Sequence, residues 1–242
     1  MSKEILINEE YGTLLNNVKT GDYVEIPTPN EVSNYLPSYR YAQIYYEDDD
    51  LAIVMKPKGV KTHPNDLKES NTLMNHVIYT VDSEYVEPIH RLDQETVGLL
   101  IVAKNPLMKK ILDRMLEYNE ITRIYKANVK ALLPIKPQTI DMPIGKDKFH
   151  SNKRRISNTG QRAITHIIDS KMIKEGVCQL DIKLDTGRTH QIRVHLAEIG
   201  HPVIGDPLYG TSTLRQLELN SHQIEFTHPL TQEIISVSLD DK

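Results

Sequence analysis

Residues 90–103, "HRLDQETVGLLIVA", run from a charged tetrad into seven positions that are apolar or glycine, Val97 to Ala103. A continuous apolar run of that length, without polar alternation, is the pattern of a strand buried on both faces. The sheet that contains it must therefore carry covering layers on each side. Asp93 stands four residues ahead of the run and two beyond Arg91. In extended backbone, residues two apart share a face, so Arg91 and Asp93 are expected side by side, an arrangement that favours the ionised carboxylate. Such a group attacks carbon, abstracts a proton, binds a metal or fixes a strand edge. A single Arg-x-Asp is most often structural.

Outward from this run, "AQIYYE" and "LAIVMK" read as a hairpin around the acidic turn "DDD", whose acids are solvated. Leu73, Met74, Val77 and Ile78 recur at helical spacing within 71–81. A helix is predicted over 105–119, with Pro106 in its first turn and Leu107, Ile111 and Met115 along one face. "RIYKANVKALL", "RAITHIID" and "VCQLDIKLD" alternate as strands, and short strands around "HQIEFTH" and "EIISVSL" close the chain. In "TGRTHQIRVHLAEIG", Thr189 is the expected cap of a helix with a stripe of Ile192, Leu196 and Ile199, stopped at Gly200. The fold class is α+β (mixed α/β), with strands joined by hairpins and long loops. Residues 1–27 read as two or three short strands, too few for a core of their own. Residues 28–42, with Pro27, Pro29 and Pro37 in and beside them, read as a linker, and 43–242 as the main domain.

The 242 residues fit one large domain with a small appendage, and 39% hydrophobic content fills a core. A formal charge of −4, from 29 basic and 33 acidic side chains, argues against a general nucleic-acid coat and leaves room for a local basic patch. The single cysteine, Cys178, makes no internal disulfide and reads as a buried strand residue. With no leader peptide and no apolar run near 18 residues, a cytoplasmic protein is expected.

Several chemistries lack their motifs. His190, His195 and His201 step by five and six residues and share no helix face, so no metal site is expected. No phosphate-binding glycine loop, dinucleotide turn or serine-hydrolase elbow is present. Glu95 beside Asp93 offers a glycosidase-like pair, though it reads more simply as a surface acid. "GKDKFHSNKRR", 145–155, holds five lysines and arginines against one aspartate and reads equally as a solvated or an RNA-facing loop. Arg188 stands at a helix entrance, where free N–H groups favour a phosphate. Arg193, one turn inside that helix, needs a carboxylate partner if it is buried.

Together these motifs resemble the RluA/RluD-type RNA pseudouridine synthase family. "HRLDQETVGLL" is similar to its active-site motif, which implies a catalytic role for Asp93. "RIYKANV" is similar to its tyrosine strand and implies an active-site Tyr125. "LDTGRTHQIRVHLAEIGHPVIGDPLYG", 184–210, resembles its longest signature and makes Arg193 the partner of the aspartate. "IVMKPKGVKTHP" resembles the basic-Pro-x-Gly motif, and "LELNSHQIEFTHP" the closing strand, with Leu219 lining the uracil pocket. The motifs fall in family order across 43–242. Val97, Met55 and Asn220-Ser221 depart from the usual residues, which bears on substrate choice and rate. Residues 5–26 resemble the tail of a small RNA-binding domain whose helical first half is missing.

The resemblance implies an isomerase of uridine within structured RNA, ribosomal RNA before transfer RNA. It works without cofactor or metal, on a base extruded into a pocket. Arg91 fills the vacated space or clamps a phosphate, and Lys56, Arg188, His190, Lys153, Arg154 and Arg155 are the expected RNA contacts. A largely antiparallel mixed sheet in two subdomains, a monomer and no membrane contact complete the expectations. Two other readings stay open at this point: an RNA-binding protein without catalysis, and a nucleoside hydrolase that needs Glu95.

Overall fold

The computed structural model describes residues 5–13, 15–27, 31–66, 68–81, 83–210 and 216–241. The chain divides into two units, Met1–Val32 and Ser33–Lys242. In the first, β1 (Ile5–Ile7), β2 (Glu10–Gly12) and β3 (Val24–Glu25) form an antiparallel sheet in the order β2-β1-β3. The β1–β2 turn places Asn8 and Glu9 at φ 53° and 69°, the left-handed pair of a tight hairpin. The Asn8 side chain also ties this turn to the segment before β3, accepting from the Tyr23 N–H and donating to Asp22. Tyr11, Leu15, Val18 and Tyr23 stay exposed, as expected of a unit too small to hide them.

The second unit contains β4 (Gln43–Glu47), β5 (Leu51–Lys56), α1 (Leu73–Thr80), β6 (Glu87–Pro88), β7 (Val97–Ala103), α2 (Pro106–Glu117) and β8 (Thr122–Lys130). These are followed by β9 (Gln138–Asp141), β10 (Ile144–Lys146), β11 (Arg154–Ile156), β12 (Ile164–Lys174), β13 (Val177–Leu184), α3 (Gln191–Glu198), β14 (Leu219–Thr227) and β15 (Ile234–Ser238). The main sheet runs β4-β5-β7-β14-β8-β13-β12-β9, with β15 beside β14 and β6 beside β7. The class is α+β, and every pair is antiparallel except β7 with β14.

The central run behaves as its composition requires. Leu99, Ile101 and Ala103 of β7 join a core with Leu51, Ile53, Met108, Leu112, Ile224 and Phe226. Leu100 and Val102 face the opposite core, with Ala52, Val54, Leu73, Met74, Leu180 and Ile182. Each fully buried aliphatic contributes about 1.5–3 kcal/mol. A slip of one residue would exchange the two faces, so burial fixes the register.

The parallel junction is short, Val97 opposite Asn220 and Gly98 opposite Ser221. Gly98 has φ +125°, and a Cβ there would lie 2.2 Å from the Ser221 carbonyl oxygen. Only glycine lets the two wings of the sheet meet, and residues 33–242 form one compact unit rather than the two subdomains expected from sequence. Because β7 and β14 run the same way, the loop before β7 and the start of β14 open on the same end.

Several expectations change. Residues 33–42 are part of the larger unit: Ser33 bonds both backbone groups of Val86, Tyr35 donates to Glu87, Asn75 donates to the Leu36 carbonyl, and Thr80 accepts the Ala42 N–H. The expected linker is shorter for that reason, and residues 28–30 lie outside the described residues. Residues 91–93 are irregular rather than strand. Helix α2, capped by the Asn105 side chain on the Met108 N–H, buries Met108 and Leu112, one position on from the predicted face. The basic stretch 145–155 is a hairpin of β10 and β11, with Lys146 opposite Arg154. Cys178 is fully buried, as expected.

Candidate active site

A cavity of about 550 Å³ opens where the two wings meet, lined in part by Arg91, Asp93, Tyr125, Arg188, Arg193 and Leu219. Asp93 sits in the loop before β7, and that loop is pinned on both sides of it. Thr62 Oγ1 accepts the Leu92 N–H and donates to the Leu92 carbonyl, at 3.1 and 3.0 Å. Gly59 N–H donates to the Gln94 carbonyl, and the Gln94 amide returns a bond to the Gly59 carbonyl.

Lys56 takes part in this clamp. It is fully buried, and its ammonium donates to the carbonyls of Pro57, Val60 and Gln94 at 2.9, 2.7 and 2.9 Å. This corrects the expectation that Lys56 contacts RNA: all three donors are spent on backbone, beneath the loop that carries Asp93. Burial pulls its pKa down to about 8, against the charges of Asp93 and Glu95.

Arg193 is the hub. From the first turns of α3, and only 3% exposed, it donates through Nη1 to Asp93 at 3.0 Å. It also grips Asp206 through Nε at 2.8 Å and Nη2 at 2.9 Å. Burial opposes its charge, but the hydrogen bonds and charges of Asp206 and Asp93 outweigh it and raise its pKa. Asp206 is fully buried. Burial works against its charge too, yet Arg193 and the N–H groups of Leu208 and Tyr209 lower its pKa. The guanidinium also lies over the Tyr209 ring, 5.2 Å from its centre. The predicted pairing of Arg193 with Asp93 is therefore present. Arg91 does not provide it: Arg91 is exposed, with no ion pair among the described residues. Residues 91–93 come before β7 begins and are irregular, so the strand spacing that implied a shared face does not apply.

Tyr125 faces the cavity from β8, opposite Ser221 on β14 and Ile182 on β13, and is 4% exposed. Leu219, the first residue of β14, is buried against the same space. His190 takes the cap position of α3 in left-handed backbone, φ 59°, where Thr189 was expected. Its Nδ1 bonds Tyr209 Oη at 2.8 Å, and its Nε2 is 3.8 Å from Asp93. Burial, with the nearby Arg193 and Arg154 charges, lowers its pKa despite Asp93. Gln191 turns back at the same entrance to accept the Arg188 N–H and the Thr186 hydroxyl, so the Arg188 N–H is already satisfied.

Lys153, Arg154 and Arg155 lie on or beside β11, outside the cavity lining, and the Arg154 N–H donates to Tyr209 Oη at 2.8 Å. The hairpin thus touches the site through one tyrosine. Asp206 and Tyr209 escaped the sequence reading of site residues, although both lie in the quoted "GDPLYG". Their signal was the unmet demand of a buried arginine for a second anion.

Glu95 lies outside the cavity lining and faces Lys58 at 4.0 Å, so it does not supply the second carboxylate of a glycosidase pair. His195 bonds Thr165 and the Met142 carbonyl, a structural arrangement. Asp48, Asp50 and His228 gather elsewhere. Nδ1 of His228 accepts the N–H groups of Leu230 and Thr231, so Nε2 carries the proton and is not a metal ligand. Among the described residues no helix is long and apolar enough to cross a membrane.

Residues 50–198 match the family model for RNA pseudouridylate synthase. The "Uncharacterized RNA pseudouridine synthase YhcT" of Bacillus subtilis (strain 168) is 40% identical over 243 residues, covering 96% of this chain and 80% of its own length. The "Ribosomal large subunit pseudouridine synthase D" of Nitrosomonas europaea is 36% identical over 80% of this chain, which spans 60% of that relative. Among solved structures, "Human RNA Pseudouridylate Synthase Domain Containing 1" superposes with a TM-score of 0.65 at 26% identity, covering 83% of this chain and 84% of that one.

Proposed function

Since the chain belongs to the RNA pseudouridylate synthase family and is an RNA pseudouridine synthase, we propose that Asp93 is its catalytic carboxylate, acting on a uridine of ribosomal RNA. The observation that carries this is the Arg193 bond: a carboxylate 18% exposed at the cavity accepts at 3.0 Å from a guanidinium that is itself anchored on Asp206. An anion is required whether Asp93 attacks C1′ or removes a sugar proton. The N1–C1′ bond breaks, uracil turns in place, and C5 bonds to C1′. The C5 proton leaves and N1 gains one, so atoms balance without oxidant or added group.

Tyr125 supports the uracil face and offers a hydroxyl for proton transfer. Leu219 closes the pocket. Arg91, exposed at the mouth, fills the stack that the flipped base leaves. Phosphates are met by Arg188, Lys153, Arg154 and Arg155, with His190 beside Asp93. Residues 1–27 resemble the end of a small RNA-binding domain. Ribosomal RNA is favoured over transfer RNA by the relatives named for the large ribosomal subunit. The enzyme acts as a monomer in the cytoplasm.

The test is to map pseudouridine across ribosomal and transfer RNA from cells lacking the gene. One or more large-subunit sites are expected to revert to uridine, restored by wild type and not by Asp93→Asn. Loss confined to transfer RNA would overturn the substrate assignment.

A further inference from the structure

Arg123 lies two residues before Tyr125 on β8, so the two share a strand face, and both line the cavity. It is 5% exposed, yet its Nε–H has no hydrogen-bond partner, and the side chain forms no ion pair among the described residues. The carboxylates that line the cavity do not serve it: Asp93 bonds Arg193 and Asp185 bonds His166. Asp113 pairs with Lys109, and Glu117 is exposed. A second donor stands in the same condition. Nε2 of His90 accepts the Ile101 N–H at 3.4 Å, which leaves the proton on Nδ1, and that N–H is shielded and unpartnered. Burial first, then the Arg123 charge, keeps the His90 pKa well below its ordinary value, so this neutral tautomer is the one present at pH 7.

A shielded guanidinium Nε–H and a shielded ring N–H without acceptors are costly in a folded protein. The cost is recovered when a ligand brings oxygen anions to both. The approach is open: opposite Nη1 stands Gly187, where even a Cβ would be 4.0 Å away. Two residues along a strand span roughly 7 Å, of the order of the separation between base and phosphate within one nucleotide.

We propose that Arg123, together with His90 Nδ1–H, binds a backbone phosphate of the target nucleotide itself while its uracil lies on Tyr125. This rests on the uridine isomerase reading above. The role is substrate binding, so affinity carries the test rather than the chemical step.

The probes are uridine 3′,5′-bisphosphate and uridine, titrated by NMR against wild type, Arg123→Met and Arg123→Lys. Wild type is expected to bind the bisphosphate roughly tenfold more tightly than uridine. Arg123→Met should remove most of that preference, Arg123→Lys should keep part, and uridine affinity should stay the same in all three. Because the methionine removes an unpaired buried charge, the Tm of Arg123→Met should equal or exceed that of wild type. No preference in wild type, or a preference that survives Arg123→Met, overturns the proposal. So does an equal loss of uridine affinity, which would mark a contact to the base, or a fall of several degrees in Tm, which would mark a structural arginine. Tritium release from C5-labelled RNA by the same wild-type preparation separates the two readings. Release without an Arg123-dependent preference sinks the phosphate site alone; no release sinks the isomerase reading and this one with it.

Discussion

Arg193 and Arg123 reach one cavity from different elements, 3% and 5% exposed, and their surroundings differ in kind. Arg193 holds two carboxylates, one of them fully buried and itself fixed by backbone N–H groups. Arg123 holds none among the described residues. A buried charge with its counter-ions supplied is part of the frame and keeps a neighbouring group in place. A buried charge left without them stabilises nothing until something else arrives. The same residue type at the same depth thus serves as fixed machinery in one place and, in the proposal above, as a substrate contact in the other.

The largest effect is expected where the charge is paired. Arg193→Ala strands Asp206 in the interior and Asp93 beside it, and should cost about 3–5 kcal/mol in urea unfolding. Arg193→Lys keeps the charge but cannot grip both acids from one plane, so it should fall between alanine and wild type. A loss below about 1 kcal/mol for Arg193→Ala would erase the contrast with Arg123.

Next in size is Tyr125→Phe. If its hydroxyl moves a proton, kcat should drop about 10²-fold with little change in KM. A rate near wild type would reduce Tyr125 to a stacking surface and shift the proton to another group. The smallest effect belongs to the hairpin. Replacing Lys153, Arg154 and Arg155 together by glutamine should make the slope of log affinity against log salt shallower by roughly 2–3. An unchanged slope would take β10–β11 off the path of the RNA.

What could be read from sequence followed the reach of local pattern. The run from Val97 to Ala103 announced a strand covered on both faces, and β7 is that strand. The alternation in 122–130 and 177–184 gave β8 and β13, and Asn105-Pro106 gave the start of α2. Demand for a partner pointed from Arg193 to a carboxylate, which is Asp93. What failed depends on distance in the chain. Lys56 looked like a phosphate ligand because charge suggests solvent, and only the fold brings the carbonyls of residues 57, 60 and 94 around it. Arg91 was paired with Asp93 by strand spacing, but the chain enters the strand only at Val97, after both residues. Asp206 went unread because an acid in a Gly-Asp-Pro turn looks like ordinary turn chemistry. Arg123 had a signal in its period-2 relation to Tyr125, yet the absence of a partner is a property of the packed molecule alone.

The central claim is that Asp93, held by Arg193, performs the isomerisation. Tritium release from RNA labelled at uridine C5, taken from cells lacking the gene, tests it most directly when wild type and Asp93→Asn are run side by side with an RNA-binding assay. Wild type should release tritium, and Asp93→Asn should release none while binding the same RNA with similar affinity. Release by Asp93→Asn at the wild-type rate would contradict the assignment of the catalytic carboxylate.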